Sequence, residues 1–378
     1  MKIKLVFLLA LLFVAFVPSQ AQTTGNHPVW NPQRTWALMV GLVEWKDPDS
    51  FSSFPQEGRQ DDVLVKLLRD RGVPSNQLVY LRDREATTYR IENELQKMLS
   101  KTREGDLLIV YFEGHGYKDD SGKNTFLASY DAGDDLDGVP VRWIPDAIER
   151  GFRGSQAVIA LDNCYSGAMA QAVRTGPRRV SYAVLASSLA SQQSTGNWTF
   201  TEALVAGFGG SARVDEDHNG EVTFSEMGEN AQQDMLFGEE QVATIAFTGD
   251  FDPQTVLSDA SGPSGGRVGE RVEAYSDDDW FKGYILDARG NQYKIHYYGY
   301  DVDEDEWVNA RNIRQPKAGK FAVGEMVEVE WKNQWYQARI LRVKGGSTYI
   351  TYVGYSEDWN EWVPSRRIRR ATHQQAVG

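Results

Sequence analysis

Beyond residue 266 the chain repeats itself without gaps. Val268-Gly269-Glu270 returns as Val323-Gly324-Glu325, Trp280 as Trp335, and Glu306-Trp307-Val308 as Glu361-Trp362-Val363, all at the 55-position spacing that separates Gly324 from Gly269. Tyr297, Gly299 and Tyr300 return as Tyr352, Gly354 and Tyr355 at the same offset. An offset held across separated segments means two copies of one small unit. Within each copy, short stretches alternate apolar and polar residues between Gly, Asp or Asn turns, the pattern of a small β-barrel. Two domains follow, at 267–315 and 320–370. Ser258 to Gly266, reading Ser-Asp-Ala-Ser-Gly-Pro-Ser-Gly-Gly, is a linker by composition and closes an earlier domain at 33–257.

That earlier domain alternates short apolar runs with amphipathic stretches, which predicts a mostly parallel sheet covered by helices on both faces. The expected strands are Trp36–Val43, Leu78–Leu81, Leu107–Phe112, Ala157–Leu161 and Tyr182–Ala186. The expected helices are Asp62–Arg71 and Thr88–Lys101, with a shorter one near Pro145–Arg150. In sheets of this class the ligand crevice lies at the carboxyl ends of the strands.

The chain opens on Met1-Lys2-Ile3-Lys4 and an apolar run from Leu5 to Val17, followed by small residues at Ser19 and Ala21. This reads as a signal peptide over 1–21, too short for a stable membrane span. The mature protein is therefore expected to be exported, to the periplasm, the cell surface or the medium, without a membrane span. A formal charge of −13 argues against general nucleic-acid binding, although Arg366-Arg367-Ile368-Arg369-Arg370 is locally basic.

In an exported chain, cysteines normally come in pairs, and this one has a single cysteine, Cys164. It is an inert buried side chain, half of a dimer, or a nucleophile. Cys164 follows the strand Ala157–Leu161 by three residues, and His115 follows Leu107–Phe112 by the same interval, so both belong at strand carboxyl ends. Of five histidines, only His115 is expected to share that crevice. An imidazole beside a thiol raises its thiolate fraction and later protonates a leaving amine, which is the chemistry of acyl transfer.

Tyr111-Phe112-Glu113-Gly114-His115-Gly116 and Leu161-Asp162-Asn163-Cys164-Tyr165-Ser166-Gly167 resemble the two signature segments of caspase-like cysteine peptidases, particularly bacterial metacaspase-like members. The resemblance runs from about Trp36 to Asp250 and includes Gly58-Arg59-Gln60-Asp61-Asp62 and Gly196-Asn197-Trp198-Thr199-Phe200-Thr201. It implies a caspase-like α/β fold and a cysteine endopeptidase in which Cys164 attacks, His115 is general base and acid, and the N–H groups of Gly116 and Cys164 hold the oxyanion. It also implies cleavage of a polypeptide after Arg or Lys, with Asp62 and Asp162 holding the cation. Glu113 departs from the family's small residue and either adds a third carboxylate or narrows the pocket. No cofactor is required for that chemistry. The alternative is an inactive caspase fold serving as a calcium-stabilised binding scaffold. Arg174-Thr175-Gly176-Pro177-Arg178-Arg179 is expected to be an exposed basic loop open to self-cleavage.

Residues 215–226 fit a 12-residue EF-hand calcium loop. Asp215, Asp217 and Asn219 supply side-chain oxygens, Gly220 the turn, Glu221 a carbonyl, and Glu226 a closing carboxylate. An ordinary acidic turn is the competing reading. Phe224–Gly238 is expected to be the exiting helix.

The two C-terminal units resemble the Tudor-like group that includes Agenet, Tudor-knot and chromo-barrel domains, most clearly in Tyr352-Val353-Gly354-Tyr355 and Trp359-Asn360-Glu361-Trp362-Val363-Pro364. The resemblance implies SH3-like barrels and, in the second, an aromatic cage of Trp331, Tyr336, Tyr352, Tyr355 and Trp359 for a basic or methylated peptide. The first unit keeps Phe281, Tyr297 and Tyr300, but Ser276 and Glu304 replace two cage positions, so it is expected to be scaffold. Trp307 and Trp362 are expected to fill the barrel cores.

Overall fold

The computed structural model describes residues 27–371 apart from 135–136, 177, 317–320, 332–333, 345–346 and 356–358. The expected signal peptide lies outside these residues. The first domain contains strands β1 (Thr35–Gly41), β2 (Leu78–Arg82), β3 (Leu107–Glu113), β4 (Gly116–Lys118), β5 (Thr125–Leu127), β6 (Val139–Pro140), β7 (Gln156–Asp162), β8 (Ser181–Ala186), β9 (Glu221–Thr223), β10 (Thr244–Phe247) and β11 (Val256–Asp259). Its helices are α1 (Gln60–Asp70), α2 (Thr88–Lys101), α3 (Trp143–Gly151), α4 (Ala168–Arg174), α5 (Thr199–Gly209) and α6 (Phe224–Gly238).

The main sheet has the order β10-β8-β7-β3-β1-β2, with every pairing parallel except that of the edge strand β10. Its strands are apolar on both faces, as a sheet covered twice requires. Leu38, Val40, Leu108, Val110, Phe112, Ile159 and Leu161 face α2, α3 and α4, while Met39, Ile109, Tyr111, Val158 and Ala160 face α1, α5 and α6. In α2 the buried residues Ile91, Leu95, Met98 and Leu99 form one helical stripe, and Thr87 caps the first turn by accepting from the Arg90 N–H. The expected strands and helices are present with ends shifted by one or two residues. The linker begins later than expected, because β11 pairs with β9 and Ser261 exchanges backbone hydrogen bonds with Gly210 and Ala212.

Each repeat forms a five-stranded antiparallel, barrel-like sheet. The first contains β12 (Arg271–Ser276), β13 (Asp279–Arg289), β14 (Gln292–Tyr297), β15 (Glu306–Asn309) and β16 (Ile313–Arg314). The second contains β17 (Met326–Trp331), β18 (Gln334–Lys344), β19 (Ser347–Tyr352), β20 (Glu361–Val363) and β21 (Ile368–Arg370). The offset extends to detail. A register shift falls at Ile285/Asp287 in one and Ile340/Arg342 in the other, and Tyr297 donates to Glu306 as Tyr352 donates to Glu361.

Both barrels dock on α6. Asp234, 1% exposed, accepts from Arg213 at 2.9 Å, from Arg271 at 2.9 Å and from the Tyr298 hydroxyl at 2.6 Å. Burial alone would raise the Asp234 pKa, but the two guanidiniums prevail and hold it below the ordinary carboxylate value. Nearby, His296 of β14 lies 2.8 Å from Asp305 and 3.5 Å from Glu202 of α5. Burial opposes its charge, yet these two carboxylates raise its pKa to about 9. Its contribution to stability is therefore full below about pH 6.5 and is lost as pH rises through 9. The second barrel buries Trp362 against Leu236 and Val242 and pairs Arg342 with Glu229. Trp362 thus sits at a domain interface rather than in a barrel core, and Trp307 lies half-buried beneath Arg289.

Asp234→Ala would leave two buried guanidiniums without their anion. Removing one partner of such a pair costs about 3–5 kcal/mol. Denaturant unfolding with limited proteolysis should show lower stability and early cleavage between α6 and the first barrel; wild-type resistance would refute the assignment.

Candidate active site

The parallel register builds the site. Gly41, Glu113 and Asp162, the last residues of β1, β3 and β7, are Cα partners across the sheet. The chain leaving β3 therefore delivers His115, and the chain leaving β7 delivers Cys164, to one rim. A cleft of about 270 Å³ lies there, lined by Cys164, His115, Glu113, Asp162, Ser194 and Trp198, among others.

The nucleophile loop is pinned from below. Ser166 and Ser188, both fully buried, share a hydroxyl hydrogen bond of 3.0 Å, and Ser188 also donates to the Asn163 carbonyl. The Asn163 amide donates to the Cys164 carbonyl at 2.7 Å, and Tyr165 takes a left-handed φ of 60° that turns the chain directly after the sulfur. The Ser194 N–H donates to Cys164 Sγ at 3.2 Å. Burial raises the thiol pKa, opposed by the N–H groups of Ser194, Cys164 itself and Gly116. The expected oxyanion donors, Gly116 and Cys164, lie on backbone segments that pack against each other. Gly116 has no room for a side chain, since a Cβ there would stand 2.2 Å from Asn163 Nδ2 and from the Cys164 carbonyl.

His115 sits among Trp45, Phe51 and Phe54, with ring centroids 4.5, 5.6 and 4.6 Å away. Its Nε2 lies 2.8 Å from the Ser52 carbonyl, which can only accept, so Nε2 carries the proton and Nδ1 keeps its lone pair. Burial lowers the imidazole pKa. The resting pair is therefore a neutral imidazole and a thiol. Ser52 and the three aromatics are the site residues that sequence reasoning missed; their only signal is the aromatic density of Trp45, Phe51 and Phe54.

The expected carboxylates separate. Glu113 and Asp162 line the cleft, but Asp62 does not: it is half-exposed, accepts from Tyr80 and faces Arg82. Asp61, one residue earlier, is the buried member. It is held by Arg59 at 2.6 Å and by the Tyr80 hydroxyl at 2.7 Å, while Arg59 also reaches Asp83 at 2.6 Å. The physical reason is that the first helical turn can turn only one of two adjacent carboxylates inward. Glu113 is pushed well up by burial and by Asp61 and Asp162. Asp162 accepts from Thr201 at 2.7 Å and is raised by burial to about 6.

In the acidic loop, oxygen atoms of Asp215, Asp217 and Glu226 lie within 4.8 Å of one another. Asn219 Oδ1 accepts from the Glu221 N–H, and Gly220 takes a φ of 90°. Glu226 forms a capping box with Thr223 at the start of α6. An all-oxygen donor set of this size fits a hard cation such as calcium.

In the second barrel Tyr336, Tyr352 and Tyr355 stand 6.1 Å apart in each pairing, with Trp359 6.2 Å from Tyr355. Tyr355 and Trp359 are about half exposed. The Arg367 guanidinium lies over the Trp331 ring at 5.6 Å. The first barrel is not bare scaffold: Phe281, Tyr297 and Tyr300 form a matching trio at 5.8 to 6.3 Å. The basic loop after α4 is largely tied down. Arg178 donates to Asp146 and the Ala172 carbonyl, Arg179 to the carbonyls of Phe152 and Gly154, and Pro177 lies outside the described residues.

A scan against protein families matches the Agenet domain at residues 269–318 and 324–373. The C-terminal region thus carries two Agenet domains, at the spacing of the internal repeat. No match was found among the curated proteins. Among solved structures, protein GSU0716 from Geobacter sulfurreducens is similar at 13% identity with a TM-score of 0.43, over 60% of this chain and 99% of that one. AGD34 of AGDP1 from Arabidopsis thaliana is similar at 20% identity with a TM-score of 0.13, over 28% of this chain and 81% of that one. Among the described residues, no helix is long and apolar enough to cross a membrane.

Because the resting pair is neutral, alkylation of Cys164 by iodoacetamide should accelerate only above the ordinary thiol pKa of about 8.5. An inflection below pH 7 would instead reveal a preformed thiolate–imidazolium pair.

Proposed function

We propose that this protein is an exported cysteine endopeptidase of caspase-like type that cleaves after Arg or Lys. The observation that carries the reading is that neighbouring parallel strand ends bring Cys164 and His115 to one cleft, with the tautomer of the histidine set by Ser52. His115 Nδ1 takes the thiol proton as Sγ attacks the scissile carbonyl. An Sγ–C bond forms, and the oxyanion accepts from the N–H groups of Gly116 and Cys164. The imidazolium gives its proton to the leaving nitrogen as the C–N bond breaks. Water, deprotonated by Nδ1, then hydrolyses the thioester and releases the acid and the thiol.

Basic specificity is supported by the charge of the cleft. Glu113 and Asp162 are buried beside the nucleophile and raised in pKa, so a guanidinium or ammonium would restore their ionised state. Arg59 already neutralises Asp61, which leaves Glu113 and Asp162 as the carboxyls for substrate. The Agenet domains supply the means of recruitment or tethering, with Tyr336, Tyr352, Tyr355 and Trp359 as a surface for a basic or methylated peptide. Calcium would be held by Asp215, Asp217 and Glu226, with Asn219 and the Glu221 carbonyl, and would serve stability by fixing the start of α6.

Fluorogenic peptides ending in Arg or Lys should be hydrolysed and those ending in Asp should not. Cys164→Ala and His115→Ala should each lower kcat/KM by at least about 10³-fold, in line with losses on removing one member of a nucleophile–base pair. A folded protein inert to all of these peptides would favour the binding-scaffold reading instead.

Adding calcium should raise Tm, and chelation should reverse it; the shift should vanish in Glu226→Gln. An unchanged melting curve would make the loop an ordinary acidic turn.

A further inference from the structure

The catalytic cleft is not made by the first domain alone. Gly299, Tyr300 and Asp301, from the loop after β14 of the first barrel, form part of the wall of the cleft that Cys164 and His115 also line. They are seated there closely: a Cβ on Gly58 would stand 2.0 Å from Asp301 Oδ1, and one on Gly299 would stand 2.9 Å from Asn197 Nδ2. The loop is held by the Asp234 cluster and by His296 between Asp305 and Glu202. Tyr300 nevertheless remains 47% exposed.

Tyr300 is also one edge of the trio with Phe281 and Tyr297, which lie in the barrel core, so this barrel presents the Tyr300 ring to the cleft. The charge around it is one-sided. Glu57, Glu113, Asp162, Glu202 and Asp301 line the cleft, and among the described lining residues there is no lysine or arginine. The two barrels also differ at one telling place. Glu361 of the second is paired with Arg367 at 2.7 Å, whereas Asn312 stands at the corresponding position of the first. Glu306 there accepts the Tyr297 hydroxyl with no cation beside it among the described residues. Aromatic faces backed by carboxylates attract a cation through both the ring quadrupole and direct charge.

We propose that the first barrel is a substrate-binding wall of the cleft, in which Tyr300 and Asp301 take a second cationic side chain of the polypeptide being cut. The inference rests on the endopeptidase reading for the word substrate, while the subsite itself is a binding claim. The enzyme would then prefer segments with two basic residues, one at the scissile bond and one a few residues away.

Two experiments on the full chain separate these claims. Hydrolysis of peptides carrying one Arg, or that Arg with a Lys, Arg or trimethyl-lysine placed at successive neighbouring positions, should give a kcat/KM preference for two cations at one position. In Tyr300→Ala and in Asp301→Asn that preference should fall about tenfold. A preference of equal size in both variants, or none in the wild type, overturns the subsite. If no peptide is hydrolysed, binding of the fluorescent dibasic peptide to Cys164→Ala decides: weakening of about tenfold on adding Tyr300→Ala supports the subsite while the peptidase reading fails, and equal binding overturns both.

Discussion

The buried carboxylate of Asp234 organises the arrangement of domains. A single anion with almost no contact with water is stable only because two guanidiniums and a hydroxyl surround it, and those groups come from both sides of a domain boundary: Arg213 from the first domain, Arg271 and Tyr298 from the first barrel. Neither side could bury its share alone without an uncompensated charge. The interface is therefore closer to a folded core than to a contact between tethered modules. Tyr298 precedes Gly299, Tyr300 and Asp301, so the residue that completes the ion cluster also sets where the barrel meets the cleft.

Helix α6 carries this constraint to the rest of the molecule. Its first turn is the capping box of Thr223 and Glu226 at the end of the acidic loop, its middle holds Asp234, and its last turns bury Leu236 against Trp362 of the second barrel. Fixing the acidic loop, by cation or by hydrogen bonds alone, thus fixes the start of the helix on which both barrels rest. The nucleophile loop obeys a different economy. Its shape comes from neutral groups, the Ser166–Ser188 latch and the Asn163 amide, which hold a thiol in place without stabilising its charge.

Much of this was legible in the sequence, and the failures share a cause. The parallel sheet, the strand-end placement of His115 and Cys164 and the exiting helix Phe224–Gly238 follow from periodicity and chain order, which are local properties. The repeat likewise announced its own boundaries through one constant offset. Asp62 was misplaced because two adjacent carboxylates at a helix start are indistinguishable until the buried Arg59 selects Asp61. Ser52 could not be read at all, since it acts through a backbone carbonyl that any residue would supply. Trp362 looked like barrel core because an interface buries an aromatic ring as completely as a core does.

The repeat itself gained meaning from its differences. Had the two barrels been equivalent modules on a linker, their aromatic faces would be expected to keep the same complement of charge. Instead the second carries Arg367 against Glu361 and Trp331, while the first has Asn312, Ser276 and a Glu306 that accepts from Tyr297 with no cation beside it among the described residues. Ser276 and Glu304 stand there in place of Trp331 and Trp359. The copy without those tryptophans is the one whose Tyr300 lines the cleft. Of the retained rings, Tyr300 lines the cleft and is half exposed while Tyr297 is buried in the barrel core, so this copy offers the cleft one ring rather than an enclosing cage.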